Sequence, residues 1–123
     1  VCHSLTELLD LYPTLATLCG LPAQPRLQGK DISRMLDDAD HTVRTAAFSV
    51  APMRKGFLLR ENDWAFIQYG KEGQNGMELF HIKTDPHQYT NLAGNPDHAR
   101  TLDRFREQMT AKLAAIRNND LDK

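Results

Sequence analysis

A chain of 123 residues with a net charge of −1, 41% hydrophobic and 25% charged residues, falls within ordinary globular usage and can bury one core. That composition excludes a collagen-like, low-complexity or wholly disordered chain, and the near-neutral charge implies no nucleic-acid or acidic-membrane partner. No apolar run approaches the ~20 residues of a membrane span or the ~7 to 15 of a signal-peptide core.

From Leu5 to Leu18 the apolar residues Leu8, Leu11, Tyr12, Leu15, Leu18 and Cys19 recur at helical spacing, which predicts a helix. Pro13 fits if Asp10 is the N-cap, because the third helical N–H has no partner within the helix. A capping box from Ser4 to Glu7, with a kink near Pro13, is the other arrangement. Gly20 supplies the stop. Cys19 lies on the apolar face and is expected as a plain buried thiol, with a single bridge to Cys2 left open. The two cysteines have no C-x-x-C spacing and do not make a zinc site. Pro22 and Pro25 mark an extended connector, after which Asp31 can cap a short helix burying Ile32, Met35 and Leu36. Asp37, Asp38 and Asp40 close that segment as a solvated helix end.

From Thr45 the period changes to short β-branched, aromatic and Leu-rich runs separated by turn residues. Strands are predicted over Thr45–Val50, Gly56–Arg60, Trp64–Tyr69 and Met77–Ile82. Their short connections favour antiparallel neighbours, since a parallel crossover needs about a dozen residues or more. In the third strand Trp64, Phe66 and Gln68 face one way and Ala65, Ile67 and Tyr69 the other. Asn95-Pro96-Asp97 then opens a long helix, with Asn as N-cap and Pro in its first turn. Ala99, Leu102, Phe105, Met109, Leu113 and Ile116 form a stripe that should lie on the sheet. The expected class is α+β, a four-stranded antiparallel sheet with a long C-terminal helix packed on it. Residues 1–44 read as a preceding segment and 45–123 as the sheet and helix.

Recognisable chemistry is sparse. The chain has no G-x-S-x-G, no phosphate-cradling glycine loop and no spaced calcium-loop ligands, and its five histidines lack the pairing of a helical zinc motif. Arg54-Lys55, between the first two strands, is the one compact cationic pair on a loop and is a candidate for anion contact. His81 in the fourth strand can face the core or a cleft. Arg54, Lys55 and His81 are therefore the candidate substrate-proximal residues, with no catalytic and no metal-ligating residue assigned.

Several stretches, in order, resemble one family. Glu7-Leu8-Leu9-Asp10-Leu11-Tyr12-Pro13-Thr14-Leu15 with Cys19-Gly20-Leu21-Pro22, and then Leu27-Gln28-Gly29-Lys30-Asp31-Ile32, are similar to the late helix and the L-x-G-K-S-L turn of type I sulfatases. Gly56-Phe57-Leu58-Leu59-Arg60 and Trp64-Ala65-Phe66-Ile67-Gln68-Tyr69 resemble the family's strand pair. Glu78 to Ala93 resembles E-L-Y-D-L-x-x-D-P-x-E-x-x-N-L-A, with His81 at the Asp position. The resemblance is to the carboxy-terminal part of the iduronate-sulfatase-like branch of the alkaline-phosphatase-like superfamily.

The resemblance implies a parent enzyme that hydrolyses sulfate esters with a formylglycine, made from Cys or Ser in C/S-x-P-x-R, and a calcium ion. Two residues before the six prolines stand Leu11, Gly20, Ala23, Val50, Thr84 and Gly94, so that nucleophile motif is absent, and the metal-binding Asp and Asn sets are unmatched. Val1 in place of Met agrees with a fragment or processed product. The first helix would then belong to the catalytic α/β domain, with the rest of that domain as partner; left uncovered, it would expose an apolar patch or dimerise. A periplasmic, secreted or lysosomal parent is implied. A phosphonate or phosphate monoester hydrolase of the same superfamily is the alternative, and a freestanding α+β interaction module is the reading from another class.

Overall fold

Residues 1–51, 53 and 55–116 are described by a computed structural model. They fall into two compact units, one from Val1 to Ala47 and one from Phe48 onwards.

In the first unit a 3-10 turn, Leu8–Asp10, leads into helix α1, Leu11–Leu18. Helix formation begins later than Leu5 because Asp10, not Ser4, sits at the N-cap position and Pro13 follows three residues on. The Asp10 side chain does not cap α1. Its carboxylate, fully buried, accepts hydrogen bonds from the Glu7 N–H at 2.7 Å, the Lys30 N–H at 2.8 Å and Arg44 Nη2 at 2.6 Å. Glu7 and Asp10 together form the capping box of the 3-10 turn, whereas Ser4 donates instead to the His41 carbonyl at 2.6 Å, so the Ser4–Glu7 box does not form. Thr14 Oγ1 donates to the Asp10 carbonyl at 2.6 Å and accepts from the Ile32 N–H at 3.0 Å. One carboxylate and one hydroxyl thus fasten two distant segments of the unit, around Lys30 to Ile32 and at Arg44, to the start of α1.

Gly29 is required by that arrangement. A Cβ there would stand 2.1 Å from the Leu9 carbonyl oxygen, so only glycine lets the 27–30 turn approach the backbone closely enough for Lys30 to reach Asp10. Asp31 Oδ1 accepts from the Ser33 N–H at 2.8 Å and starts a 3-10 turn, Ser33–Leu36. Two expectations fail in this unit. Cys19 is exposed, and it and Cys2 are free thiols. Leu36 is also exposed, because a single 3-10 turn places consecutive side chains about 120° apart and cannot bury both Met35 and Leu36 on one face.

The second unit is a meander of four antiparallel strands in the order β1-β2-β3-β4: β1 Ala47–Ala51, β2 Gly56–Arg60, β3 Trp64–Tyr69 and β4 Met77–His81. Leu59 pairs with Phe66 and Phe66 with Leu79, and this row points at helix α2, Ala99–Ile116. Phe105, Met109 and Leu113 recur every fourth residue along α2 and complete the core with Leu59, Phe66 and Leu79. The Phe66 and Phe105 rings stack with centroids 5.7 Å apart. Asn95 accepts from the Asp97 N–H at 3.0 Å, capping the turn Pro96–His98 that feeds α2, as its sequence predicts. Ala99, the first residue of the predicted stripe, is exposed. The proposed helix end and tail at 117–123 lie outside the described residues.

The Glu78-to-Ala93 stretch has a physical explanation. Asp85 accepts from the Thr90 N–H at 2.8 Å, and this bond, with that from Tyr89, holds its carboxyl below the ordinary 3.8. Gln88 turns the chain back with φ of 58°. Asn91 then lies along the outer edge of β4: its Oδ1 accepts from the Leu79 and Ala93 N–H groups, each at 3.0 Å, and its Nδ2 donates to the Met77 carbonyl at 3.2 Å. Leu92 N–H closes the edge on the Leu79 carbonyl at 2.8 Å. Asn91→Ala is expected to leave the buried Leu79 N–H without an acceptor and to cost about 1–3 kcal/mol. Urea denaturation measures that loss, and the Leu79 amide should lose its protection from hydrogen exchange first.

Candidate functional site

The connection from β1 to β2 ends at Lys55, an exposed residue with φ of 50° whose carbonyl accepts from the Gly70 N–H at 2.9 Å. A side-chain-bearing residue in this left-handed conformation costs about 1 kcal/mol, and the bond to Gly70 holds it there. Arg54, its neighbour in the sequence, lies outside the described residues.

His81 ends β4 on the same side of the sheet as Leu79, the side that α2 covers, and is half-buried. Its Nδ1 lies 2.7 Å from Thr84 Oγ1. Its ring meets Trp64, its cross-strand partner, edge-on at 4.6 Å, and His98 meets the same indole from the other element at 5.5 Å. His81 therefore belongs to an aromatic cluster at the margin of the core.

The sheet separates Lys55 from His81. Lys55 precedes Gly56, which pairs with Tyr69, whereas His81 pairs with Trp64 at the other end of β3. Five residues of strand span about 17 Å. One ester group cannot touch both side chains. Among the described residues no group of three or more His, Cys, Asp or Glu side chains is arranged to hold a metal ion, and none of the prolines follows a Cys or Ser at the nucleophile spacing. The described residues thus do not fit calcium, and the sequence holds no formylglycine precursor at that spacing. No helix among the described residues is long and apolar enough to cross a membrane.

Two features escaped the reading of the sequence. The first is the pairing of His81 and His98 on Trp64, which depends on where α2 begins in space. The second is Arg60, whose Nη1 is shielded from solvent with no hydrogen-bond partner among the described residues. Strand alternation was the available signal for it, since Arg60 follows Leu59 and must face away from α2.

No family model matches the chain. Over 112 residues it is 26% identical to arylsulfatase K of Mus musculus, a match covering 81% of this chain and 20% of that protein. Over 118 residues it is 31% identical to the choline-sulfatase of Rhizobium meliloti, covering 86% of this chain and 22% of that one. The chain therefore spans about a fifth of the length of the curated relatives it matches. Among solved structures, a 2-O GAG sulfatase superposes with a TM-score of 0.74 at 21% identity, over 93% of this chain and 26% of that one. The phosphonate monoester hydrolase of Agrobacterium radiobacter superposes with a TM-score of 0.65 at 20% identity, over 86% and 24%.

Proposed function

Because the chain belongs to the sulfatases of the alkaline-phosphatase-like superfamily, as their carboxy-terminal part, we propose that it is the scaffolding portion of a sulfuric ester hydrolase. The observation that supports this most directly is the agreement between residue roles and motif positions. Asp10 and Gly29 hold the first unit together, and Leu79, Asp85 and Asn91 hold the second, all through backbone contacts that a scaffold needs and a reaction does not.

In this reading the nucleophile and the metal ligands reside in the remaining part of the enzyme, which supplies formylglycine and calcium chemistry when joined to this one. The apolar face of α1 supports it further. Leu8, Leu11, Leu15 and Leu18 are each more than half exposed, a patch that a larger catalytic domain would cover. Arg54, Lys55 and His81 would lie toward the rim of the substrate cleft, with Lys55 and His81 as separate contacts. A secreted, lysosomal or periplasmic setting belongs to the same proposal.

The chain by itself is expected to give no hydrolysis of an aryl sulfate above a blank, with or without calcium. The coding sequence upstream of Val1 should contain C/S-x-P-x-R. Turnover by the isolated chain, or an initiation codon directly before Val1, would overturn the proposal. A phosphonate monoester offered to the longer enzyme beside the aryl sulfate separates the sister activity, which the Agrobacterium structure keeps in view.

A further inference from the structure

The connection from β3 to β4 carries the dipeptide Asn75-Gly76, and Asn75 is the only asparagine of the chain that glycine follows. Both residues are exposed, and the Asn75 side-chain amide makes no hydrogen bond among the described residues. Gly76 has φ of 121°, a conformation that residues with a side chain rarely adopt, and a Cβ built there would meet only Tyr69 Cδ2, at 3.8 Å. The Gly76 nitrogen thus stands beside an uncommitted amide, with nothing crowding its Cα. The other asparagines of the described residues differ. Asn91 commits its Oδ1 to the Leu79 and Ala93 N–H groups and its Nδ2 to the Met77 carbonyl, and Leu92 follows it. Asn95 accepts from the Asp97 N–H and precedes Pro96, whose nitrogen has no proton to lose. Asn62 precedes Asp63, whose side chain stands beside the backbone nitrogen.

We propose that Asn75 is a site of spontaneous deamidation, the chemistry that makes asparagine a labile residue. A base takes the Gly76 amide proton, the nitrogen bonds to Asn75 Cγ, and the Cγ–Nδ2 bond breaks as ammonia leaves with a proton returned by the base. The five-membered succinimide then takes up one water, which opens either of its two C–N bonds to leave aspartate or isoaspartate at position 75. The sum is amide plus water to carboxylate plus ammonium, with nothing oxidised or reduced. The Gly76 N–H also donates to the Gly73 carbonyl at 3.1 Å, so the reaction proceeds from molecules in which this turn has opened.

The backbone on both sides of the reacting bond is paired with one residue. The Asn75 N–H donates to the Tyr69 carbonyl and the Tyr69 N–H to the Gly76 carbonyl, each at 3.0 Å. Isoaspartate adds a methylene to the main chain between those two bonds, so both cannot be kept. Gly70, the next residue, donates to the Lys55 carbonyl at 2.9 Å, and the loosened end of the hairpin is therefore the end that carries Lys55. This chemistry belongs to the chain itself and stands or falls apart from the scaffold reading.

The 123-residue chain is incubated in mildly alkaline buffer, digested with trypsin and followed by mass spectrometry. The peptide Glu72–Lys83 should gain one mass unit, which fragment ions place at Asn75 and not at Gln74, while the peptides 61–71 and 84–100 keep their masses. Mildly acidic buffer should slow the gain, because the Gly76 amide must give up its proton. Asn75→Gln should abolish it, together with the labelling of this peptide by an isoaspartyl methyltransferase. In the isoaspartate form the Tyr69 amide should lose protection from hydrogen exchange, whereas Asn75→Asp, which adds the charge without the methylene, should keep it. An unchanged 72–83 peptide, a gain located at Gln74, or equal gains in the peptides holding Asn62 and Asn91 would overturn the proposal. Full Tyr69 protection in the isoaspartate form would overturn the effect on the hairpin.

Discussion

Asp10→Ala is expected to destabilise the first unit by about 3–5 kcal/mol, the usual cost of removing one partner from a buried ion pair. Asp10 is fully buried and Arg44 is 7% exposed, so water cannot replace the lost carboxylate. Among the described residues Arg44 would retain only Glu7, whose Oε2 lies 3.6 Å from Nη1. The Lys30 and Glu7 N–H groups would lose their acceptor at the same time. Hydrogen exchange at the Lys30 amide reads the effect locally, and denaturant unfolding reads it globally. Asp10→Asn, which keeps the shape and one acceptor oxygen, should cost less.

The same carboxylate predicts an acid limit. Burial alone would raise its pKa, but the hydrogen bonds from Arg44, Lys30 and Glu7 outweigh burial and hold it below the ordinary 3.8. A folded-state value below the unfolded one means that the unfolded chain takes up the proton first. The stabilisation is therefore complete above about pH 4 and is lost as the pH falls through the lower folded value. An acid titration of Lys30 amide protection should show this loss in the parent chain, and Asp10→Asn should flatten it.

Phe105→Ala is expected to cost about 3–5 kcal/mol, as large aromatic truncations in closed cores do. Phe105 is fully buried, shares the core with Met109 and Leu113 of its own helix and stacks on Phe66 from the sheet. The cavity would open where α2 meets β3. Arg104, whose guanidinium lies 4.3 Å from the Phe105 ring centre and pairs with Glu61 at 2.6 and 3.0 Å, would lose its aromatic support as well. Trp64, the only tryptophan, reports urea unfolding of this unit directly. Substituting exposed Gln108 by Ala should change stability by less than about 0.5 kcal/mol, which separates the packing loss from helix propensity.

Local patterns made the second unit legible. Alternation in Trp64–Tyr69 assigned Phe66 to one face, the four-residue recurrence of Phe105, Met109 and Leu113 assigned the matching helix stripe, and Asn95-Pro96 marked where the chain turns helical. Each depends on residues within one or two turns, where backbone geometry and side-chain direction are coupled. The candidate site was much less legible. Lys55 and His81 could be named from loop position and residue type, but not that β3 holds them at opposite ends.

By itself the sequence determined the α+β order of elements, the antiparallel meander, the stripe of α2 and the likeness to sulfatases, because periodicity, capping and turn residues act over short stretches of chain. Only the tertiary structure decided that Asp10 gathers Lys30 and Arg44 instead of capping α1, that Cys19 and Leu36 are exposed, and that Arg60 has an atom buried without a partner among the described residues. Those outcomes depend on which groups from distant positions meet in space. A carboxylate or a guanidinium takes its role from the donors, acceptors and water around it, and these are set by packing and not by neighbours in the chain.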